Sequence, residues 1–596
     1  MLVNRFFERV RQIFPCIYKP PFPHKMEVTA QNFKAVLPMV EKAIDEAQFV
    51  AIDGEFTGLN LVKPVSALDL PLERYDALRE SSRQFLLVQF GLCTFHYDSK
   101  KDLYTNRAFN FYVWPRPYTR NAPDLRFMCQ TSSIDFLVKQ DFDFNKLFKH
   151  GISYLKPEAE EKMKKAIEDR QITRKSNDTP NAQHIPIPEA METYINEIKT
   201  KIQTFIQGNS NTLFLEKSNA FQRRLIYQVA REEFTGIFLE SVAVGRDRVI
   251  KITKMDANEH AQKDLDRNQS EFDVLDEAVG FAKVIQKLSQ SRKPVVGHNM
   301  FLDLCYTLNQ FVCTLPESYS EFKHLANKTF PILVDTKTMA TQYPFRDEIF
   351  NSSLEELKNT LMTAPFHMPD VKAVSVDSGY ELESEKYHEA GYDAFITGLC
   401  FIAMSNHLGT LSKELGPKPR LMPDSPLLKP FFNKIHLMRI ADIPYMNLAG
   451  EDISPNRDHV FHVTFPSEWK TSDLVNLFSA FGNVQVSWLN ESSAYVSLYD
   501  PTSAKEVLSA LNCSSVYNIM TYGQFKSFEA SASLTGITPT LAQSKLSFSD
   551  SVSELKELTK KRSISPDPEP YKRSKSVTDD DTPVQTSKNF AESSDW

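Results

Sequence analysis

The stretch FVAIDGEFTGL, residues 49–59, decides the reading of this chain. Phe49, Val50, Ala51 and Ile52 have the apolar, branched character of a buried strand. Two acids, Asp53 and Glu55, follow where that run should close. Residues two apart on a strand face the same way, so both carboxylates project together. Carboxylates that close repel, and one resists ionising unless a cation compensates. Taken alone, the pair is also what a solvated strand end looks like, with Asp-Gly opening a turn.

Outward from that strand the pattern alternates. A helix is expected over 30–47, before it. FLLVQFGLCTF (85–95) and FNFYVWP (109–115) are further strand candidates, and a helix is expected over 133–149. From 158 the chain is almost entirely polar, as in an exposed helix followed by a linker. Residues 188–257 form a compact segment containing FQRRLIYQVAREEF (221–234). Strand character resumes at KPVVGHN (293–299) and FPILVD (330–335), so one sheet is interrupted by an inserted domain. From 456 the pattern resets to β-α-β-β-α, the order of a ferredoxin-like sandwich. Beyond 530 the chain is rich in Ser, Thr and Pro with mixed charge, the composition of a disordered tail.

Two later segments bear on the acid pair. GHNMFLDL places Asp303 just beyond a strand, and YHEAGYDAFITG places His388 and Asp393 at a helix start. Each alone reads as a surface acid or a structural histidine. Together, as D-x-E, a central Asp and H-x-x-x-x-D, they resemble the DEDDh exonucleases. The tyrosine subclass of those enzymes has Tyr four positions before the last Asp; here that position is Glu389, and Tyr392 is not its equivalent. More closely, residues 26–530 resemble the poly(A)-specific ribonuclease family of deadenylases, through FLLVQFGLCTF, SSIDFL, FDFNKLF, FQRRLIYQ, HEAGYDAFITGLCFI, FFNKIHLMR and WKTSDLVNLFSAFGN.

The resemblance implies an α/β chain. A ribonuclease H-like mixed sheet flanked by helices would be built from 26–160 and 258–445. A linker at 161–187 would precede a small α+β nucleic-acid-binding-like domain of the Arg-x-x-x-His type at 188–257. A ferredoxin-like RNA-recognition-motif domain at 456–530 would follow, between a disordered basic leader (1–25) and a disordered tail (531–596). It implies a 3′ to 5′ exoribonuclease that shortens poly(A) tails of mRNA, releases 5′-AMP, is stimulated by the 5′ cap and also trims oligo(A) from non-coding RNA. Asp53, Glu55, Asp303 and Asp393 would hold two Mg²⁺ ions about 4 Å apart, with Mn²⁺ as substitute, and His388 would be the general base. Lys337 would contact poly(A), and Trp488 would stack on the cap. From its place beside Glu55, Phe56 is a candidate for stacking on a base, with core packing the competing reading. The Arg-x-x-x-His signature falls on Arg224, but residue 228 is Gln. At the stacking positions of the RNA motif only Tyr495 fits; Ser493 and Glu491 do not. The family also implies a homodimer. Alternatives are a DNA 3′ exonuclease and a non-catalytic cap- or poly(A)-binding scaffold.

Composition narrows the setting. The chain has 596 residues and a formal net charge of −7, so RNA is gripped by local patches, metal or stacking rather than bulk charge. Seven cysteines without a CxxC pair argue against a disulfide framework and a thiolate zinc site, and for a reducing compartment. No apolar run approaches the roughly 20 residues of a membrane helix, so no membrane partner is expected. The tail stretch KKRSISPDPEPYKRSK (560–575) resembles a bipartite nuclear-import signal, with Ser565 a phosphorylation candidate, which points to nucleus (nucleolus included) and cytoplasm.

Overall fold

A computed structural model describes residues 27–59, 66–117, 125–177, 185–244, 247–375, 378–382, 384, 386–412, 421–511 and 514–535. The expected leader, the tail beyond 535, the import signal and Ser565 lie outside these residues. The chain divides into two compact units, one of residues 1–61, 75–436 and 447–451, the other of 62–74, 437–446 and 452–596.

The first unit is built on a seven-stranded mixed sheet. Its early elements are β1 (Glu27–Val28), α1 (Phe33–Glu46), β2 (Phe49–Phe56), β3 (Leu87–Asp98), β4 (Leu103–Tyr112) and α2 (Thr131–Lys139). Then come α3 (Pro157–Asn177), α4 (Glu189–Gln207), β5 (Thr212–Phe214), α5 (Ala220–Glu233), β6 (Ile237–Val244) and β7 (Asp247–Lys254). The unit continues with α6 (Ala257–Val279), α7 (Ala282–Ser291), β8 (Val295–Gly297), α8 (Phe301–Thr307), β9 (Leu333–Asp335), α9 (Thr336–Ala340), β10 (Val371–Ala373) and α10 (Ala390–Thr410). Strand order is β1-β4-β3-β2-β8-β9, with β10 also on β4. β3 runs antiparallel to β2 and β4, whereas β2, β8 and β9 are mutually parallel. This is the ribonuclease H-like mixed sheet that the sequence led us to expect.

The first nine residues of β3 are all buried, as in a strand covered on both faces. One cover is α10, which is buried along nearly its whole length and apolar all round. It lies on the face bearing Phe49, Ala51, Cys93 and Phe95, with Phe401 edge-on to Phe49 at 4.9 Å. The opposite face carries a ring cluster of Phe90, Phe111, Phe281 and Phe311, with centroids 4.9–5.2 Å apart along the chain of contacts.

Between β4 and β8 the chain leaves the sheet through α3 and returns through α6, joined by an Arg174–Glu271 ion pair at 2.6 Å. The segment between them has its own antiparallel sheet, β5-β7-β6, and its own core of Ile195, Ile198, Ile202, Leu225, Ile226, Val229, Ile250 and Ile252. Two expectations need correction. The linker expected at 161–187 is helical to Asn177, because Ile167 packs with Leu155, Leu275 and Val279. The helix expected over 133–149 is two, Thr131–Lys139 and Phe144–His150, broken where Asp141 takes a φ of 58°.

The second unit contains β11 (Val460–Thr464), α11 (Thr471–Leu477), β12 (Val484–Asn490), β13 (Ser493–Leu498), α12 (Ala504–Leu511) and β14 (Asn518–Thr521). Their antiparallel order, β12-β13-β11-β14, is that of the expected ferredoxin-like sandwich. One more helix follows, α13 (Tyr522–Thr535), running into the stretch expected to be tail. Phe525 on α13 buries itself with Leu68, Val460 and Tyr495, which explains why the helix forms there. Among the described residues no helix is long and apolar enough to cross a membrane.

Candidate active site

Asp53 and Glu55 continue the Phe49–Ala51 stripe on the face that α10 covers. Gly91 lies opposite Asp53 on β3, and a Cβ there would sit 2.0 Å from the Ala390 carbonyl oxygen. The missing side chain thus lets the first turn of α10 come down onto the acid end of β2. That turn carries Asp393. Oxygens of Asp53, Glu55 and Asp393 all lie within 4.8 Å of one another. Asp303, in the first turn of α8, comes from the other side: its Oδ1 is 3.0 Å from where a Cβ on Gly54 would stand. Four carboxylates from three distant segments therefore converge.

Asp53 is half-buried, and Glu55, Asp303 and Asp393 are buried. Burial first, then the charges of Asp303 and Asp393, hold the carboxyl groups of Asp53 and Glu55 well above the usual range. Burial likewise pushes Asp303 and Asp393 up to about 7. Asp303 Oδ1 and Asp393 Oδ1 are buried without a hydrogen-bond partner. Buried, mutually repelling oxygens with unfilled acceptor capacity suit a hard divalent cation, which takes oxygen ligands. The all-carboxylate donor set fits magnesium or manganese.

His388 precedes α10 in a left-handed conformation, φ 67°, uncommon for a residue with a side chain. Its backbone N–H donates to Asp393 Oδ2 at 3.0 Å, which holds it there. Its ring stands edge-on to Phe136 at 4.9 Å. Burial lowers the imidazole pKa, opposed by the Glu355 carboxylate, which favours the neutral ring that a general base needs. Glu389 turns instead to Asn110, whose Nδ2 donates to it at 2.8 Å. The Tyr392 ring is buried and its hydroxyl donates to the Ser384 carbonyl.

Three residues that build this site were not singled out from sequence. Gln89 Oε1 accepts the Ala390 N–H at 3.1 Å, and Asn110 Oδ1 accepts the Gly391 N–H at 2.6 Å. Sheet amides thereby satisfy the open N-terminus of α10 and fix its register. Asp335, fully buried, accepts backbone N–H groups of Asn299, Met300, Lys337, Thr338 and His436 at 2.9–3.4 Å. It ties the turn leading into the Asp303 helix to β9 and α9. The available signal was a lone polar residue inside each apolar strand: Gln in LVQF, Asn in FNFY, Asp closing ILVD.

The expected substrate contacts divide. Lys337 is half-buried in α9, and its charge acts on the neighbouring His298 and His436 imidazoles. Phe56 corrects the stacking expectation: it is only 9% exposed and packs edge-on against Tyr306 at 4.7 Å, a core contact. Trp488 lies on the edge strand β12, 38% exposed, with its Nε1–H donating to Thr471 Oγ1 at 3.1 Å. Tyr495 is not free to stack on RNA, because it is buried under α13. There Phe525 lies flat on His462, centroids 3.5 Å apart and planes within 6°. In the inserted segment, Gln228 exchanges two hydrogen bonds with the Ile185 backbone, at 3.0 and 3.1 Å, a structural role where the signature has His.

A ribonuclease H-like sheet that gathers four carboxylates, three of them buried, next to a histidine defines a nuclease. Residues 28–401 match the CAF1 family ribonuclease domain, and 450–528 match an RNA binding domain. The chain belongs to the CAF1 ribonuclease family. It is 46% identical over 513 residues to "Poly(A)-specific ribonuclease PARN" of Xenopus laevis, spanning 84% of this chain and 81% of that one. The human protein of the same name matches at 46% over 514 residues, 84% and 80% of the two chains. The "Pre-piRNA 3'-exonuclease trimmer" of Bombyx mori is 27% identical, over 84% and 94%. Among solved structures, S. pombe Pop2p in a "Mg2+ and Mn2+ bound form" aligns at 13% identity over 63% of this chain and 89% of that one. Its TM-score of 0.30 adds nothing to the argument.

Proposed function

We propose that this ribonuclease shortens poly(A) from the 3′ end and releases 5′-AMP. The observation that carries the reading is the convergence of four mutually repelling carboxylates, three of them buried, in a chain nearly half identical to poly(A)-specific ribonucleases. Asp53, Glu55, Asp303 and Asp393 would hold the divalent ions, two Mg²⁺ with Mn²⁺ able to replace them. Such ions supply an acidified water and charge stabilisation for the leaving oxygen. His388, neutral and held by Asp393, takes the proton of the attacking water. Asp393 thus orients the base through its backbone while its other oxygen stays open.

Lys337 contacts the poly(A) strand. Trp488 stacks on the cationic guanine of the 5′ cap, and its exposure on an edge strand supports this. The active form is a homodimer, working in nucleus and cytoplasm. A second substrate class is the 3′ oligo(A) of non-coding RNAs; the likeness to a pre-piRNA 3′-exonuclease supports 3′ trimming beyond mRNA.

The test is a Mg²⁺ titration with capped oligo(A), uncapped oligo(A) and oligo(dA), resolving products over time. The reading expects stepwise release of AMP, faster with a cap, and little dAMP. Equal or faster release of dAMP would replace it with a DNA exonuclease. Absence of hydrolysis with RNA binding intact would replace it with a binding scaffold.

A further inference from the structure

Phe350 is 93% exposed, against 73% for Tyr343, the next most exposed large hydrophobic residue described. Its backbone is anchored on both sides. Phe345 and Ile349 before it, and Leu357 and Leu361 after it, are buried in the core that includes α10. Asn351 Oδ1 accepts the Ser353 N–H at 3.0 Å, a turn that leads into the helix Leu354–Leu361. The ring is therefore held out by fixed neighbours.

The segment carrying it lies beside two histidines that adjoin the acid-bearing elements, His298 before α8 and His388 before α10. At the first, the Ser352 backbone faces the His298 imidazole. His298 follows β8, bonds Thr336 Oγ1 at 2.9 Å, and lies beside Lys337. At the second, the charge of Glu355 acts on His388, and Lys358 Nζ lies 5.4 Å from the Tyr387 ring centroid. A path past either histidine would carry a strand whose 3′ end sits among the acids toward this segment. Single-stranded RNA is gripped sequence-tolerantly by aromatic faces onto which its bases stack.

We propose that Phe350 is a base-stacking residue for the RNA strand upstream of the nucleotide being removed. This rests on the placement of the catalytic site above, and it adds a contact that neither the acids nor Lys337 supply. The phenyl ring contributes to holding longer substrates and takes no part in the chemical step.

Full-length Phe350→Ala and Phe350→Trp variants test it on oligo(A) of graded length. Phe350→Ala should raise KM for long oligo(A) by ~5- to 150-fold, the range of one lost stack, with kcat unchanged. The dinucleotide ApA should be cleaved as by the parent, and Phe350→Trp should restore the parental KM. Anisotropy of labelled oligo(A) reads the same contact without hydrolysis, so this proposal stays testable if the catalytic reading fails. Equal affinity of the Ala variant and the parent at every length would overturn it. So would a changed oligomeric state with unchanged RNA affinity, which would make the ring a contact between copies.

Discussion

The acid end of β2 and the open face of the β11–β14 sheet differ in what fills them. At the first, buried carboxylates repel one another and two oxygens lack partners, so the protein leaves a place for cations. At the second, the aromatic positions where an RNA-recognition sheet stacks bases are taken by the chain itself. Phe525 lies on His462, and Tyr495 is packed under the same helix. One region is destabilised until a ligand arrives; the other is stabilised by its own ligand mimic. Nucleic-acid chemistry is thereby concentrated at the acids, while the RNA-binding domain presents Trp488 on its exposed edge strand.

The strongest way to break this contrast is to remove one acid. Asp53→Asn should abolish hydrolysis, yet raise the stability of the metal-free protein at pH 8 by about 1–3 kcal/mol, because a repelling buried charge is gone. Chemical denaturation beside an activity assay checks both signs; a destabilised variant would show the acids to be structural. Next, His388→Ala should lower kcat by ~10²- to 10⁴-fold, the usual share of a general base. Since the imidazole pKa is lowered, the acid limb of the parent's pH–rate profile should lie below its ordinary 6.5.

The opposite response is expected in the second unit. Phe525→Ala should destabilise it by about 3 kcal/mol, the cost of deleting a buried ring, read as an earlier unfolding transition. Its KM for uncapped oligo(A) should not move. A smaller change belongs to the edge strand. Trp488→Ala should weaken cap affinity by about 1–3 kcal/mol, as one lost stack, measured by titration with a cap analogue. Uncapped oligo(A) should be hydrolysed at the parental rate.

Much of the site was legible because it follows from local rules. The i, i+2 parity of Asp53 and Glu55 put both acids on one face; Asp393 sits in the first turn of a helix and Asp303 beyond a strand, as their flanking sequence indicated, though the helix that carries Asp303 was not read. What escaped was satisfaction of distant backbone. Gln89 and Asn110 serve N–H groups about 300 and 280 positions away, and no periodicity carries that information. The covering helix also escaped. YGQFKSFEASASLT has little amphipathic pattern, and only its packing on Leu68, Val460 and Tyr495 makes Phe525 a core residue. Phe56 was misread for the reverse reason: adjacency to Glu55 on a strand turns its ring to the opposite face, against Tyr306.

The most direct measurement is the thermal midpoint of the metal-free protein with and without Mg²⁺, at pH 5 and at pH 8. A carboxyl whose folded pKa is raised contributes its stability below its unfolded value, near 4, and loses it as pH rises through its folded value, about 7 for Asp303 and Asp393. The account predicts a lower metal-free midpoint at pH 8 than at pH 5, and a rise on adding Mg²⁺ that is large at pH 8, small at pH 5 and absent in Asp53→Asn. A midpoint indifferent to Mg²⁺ at pH 8 would contradict it.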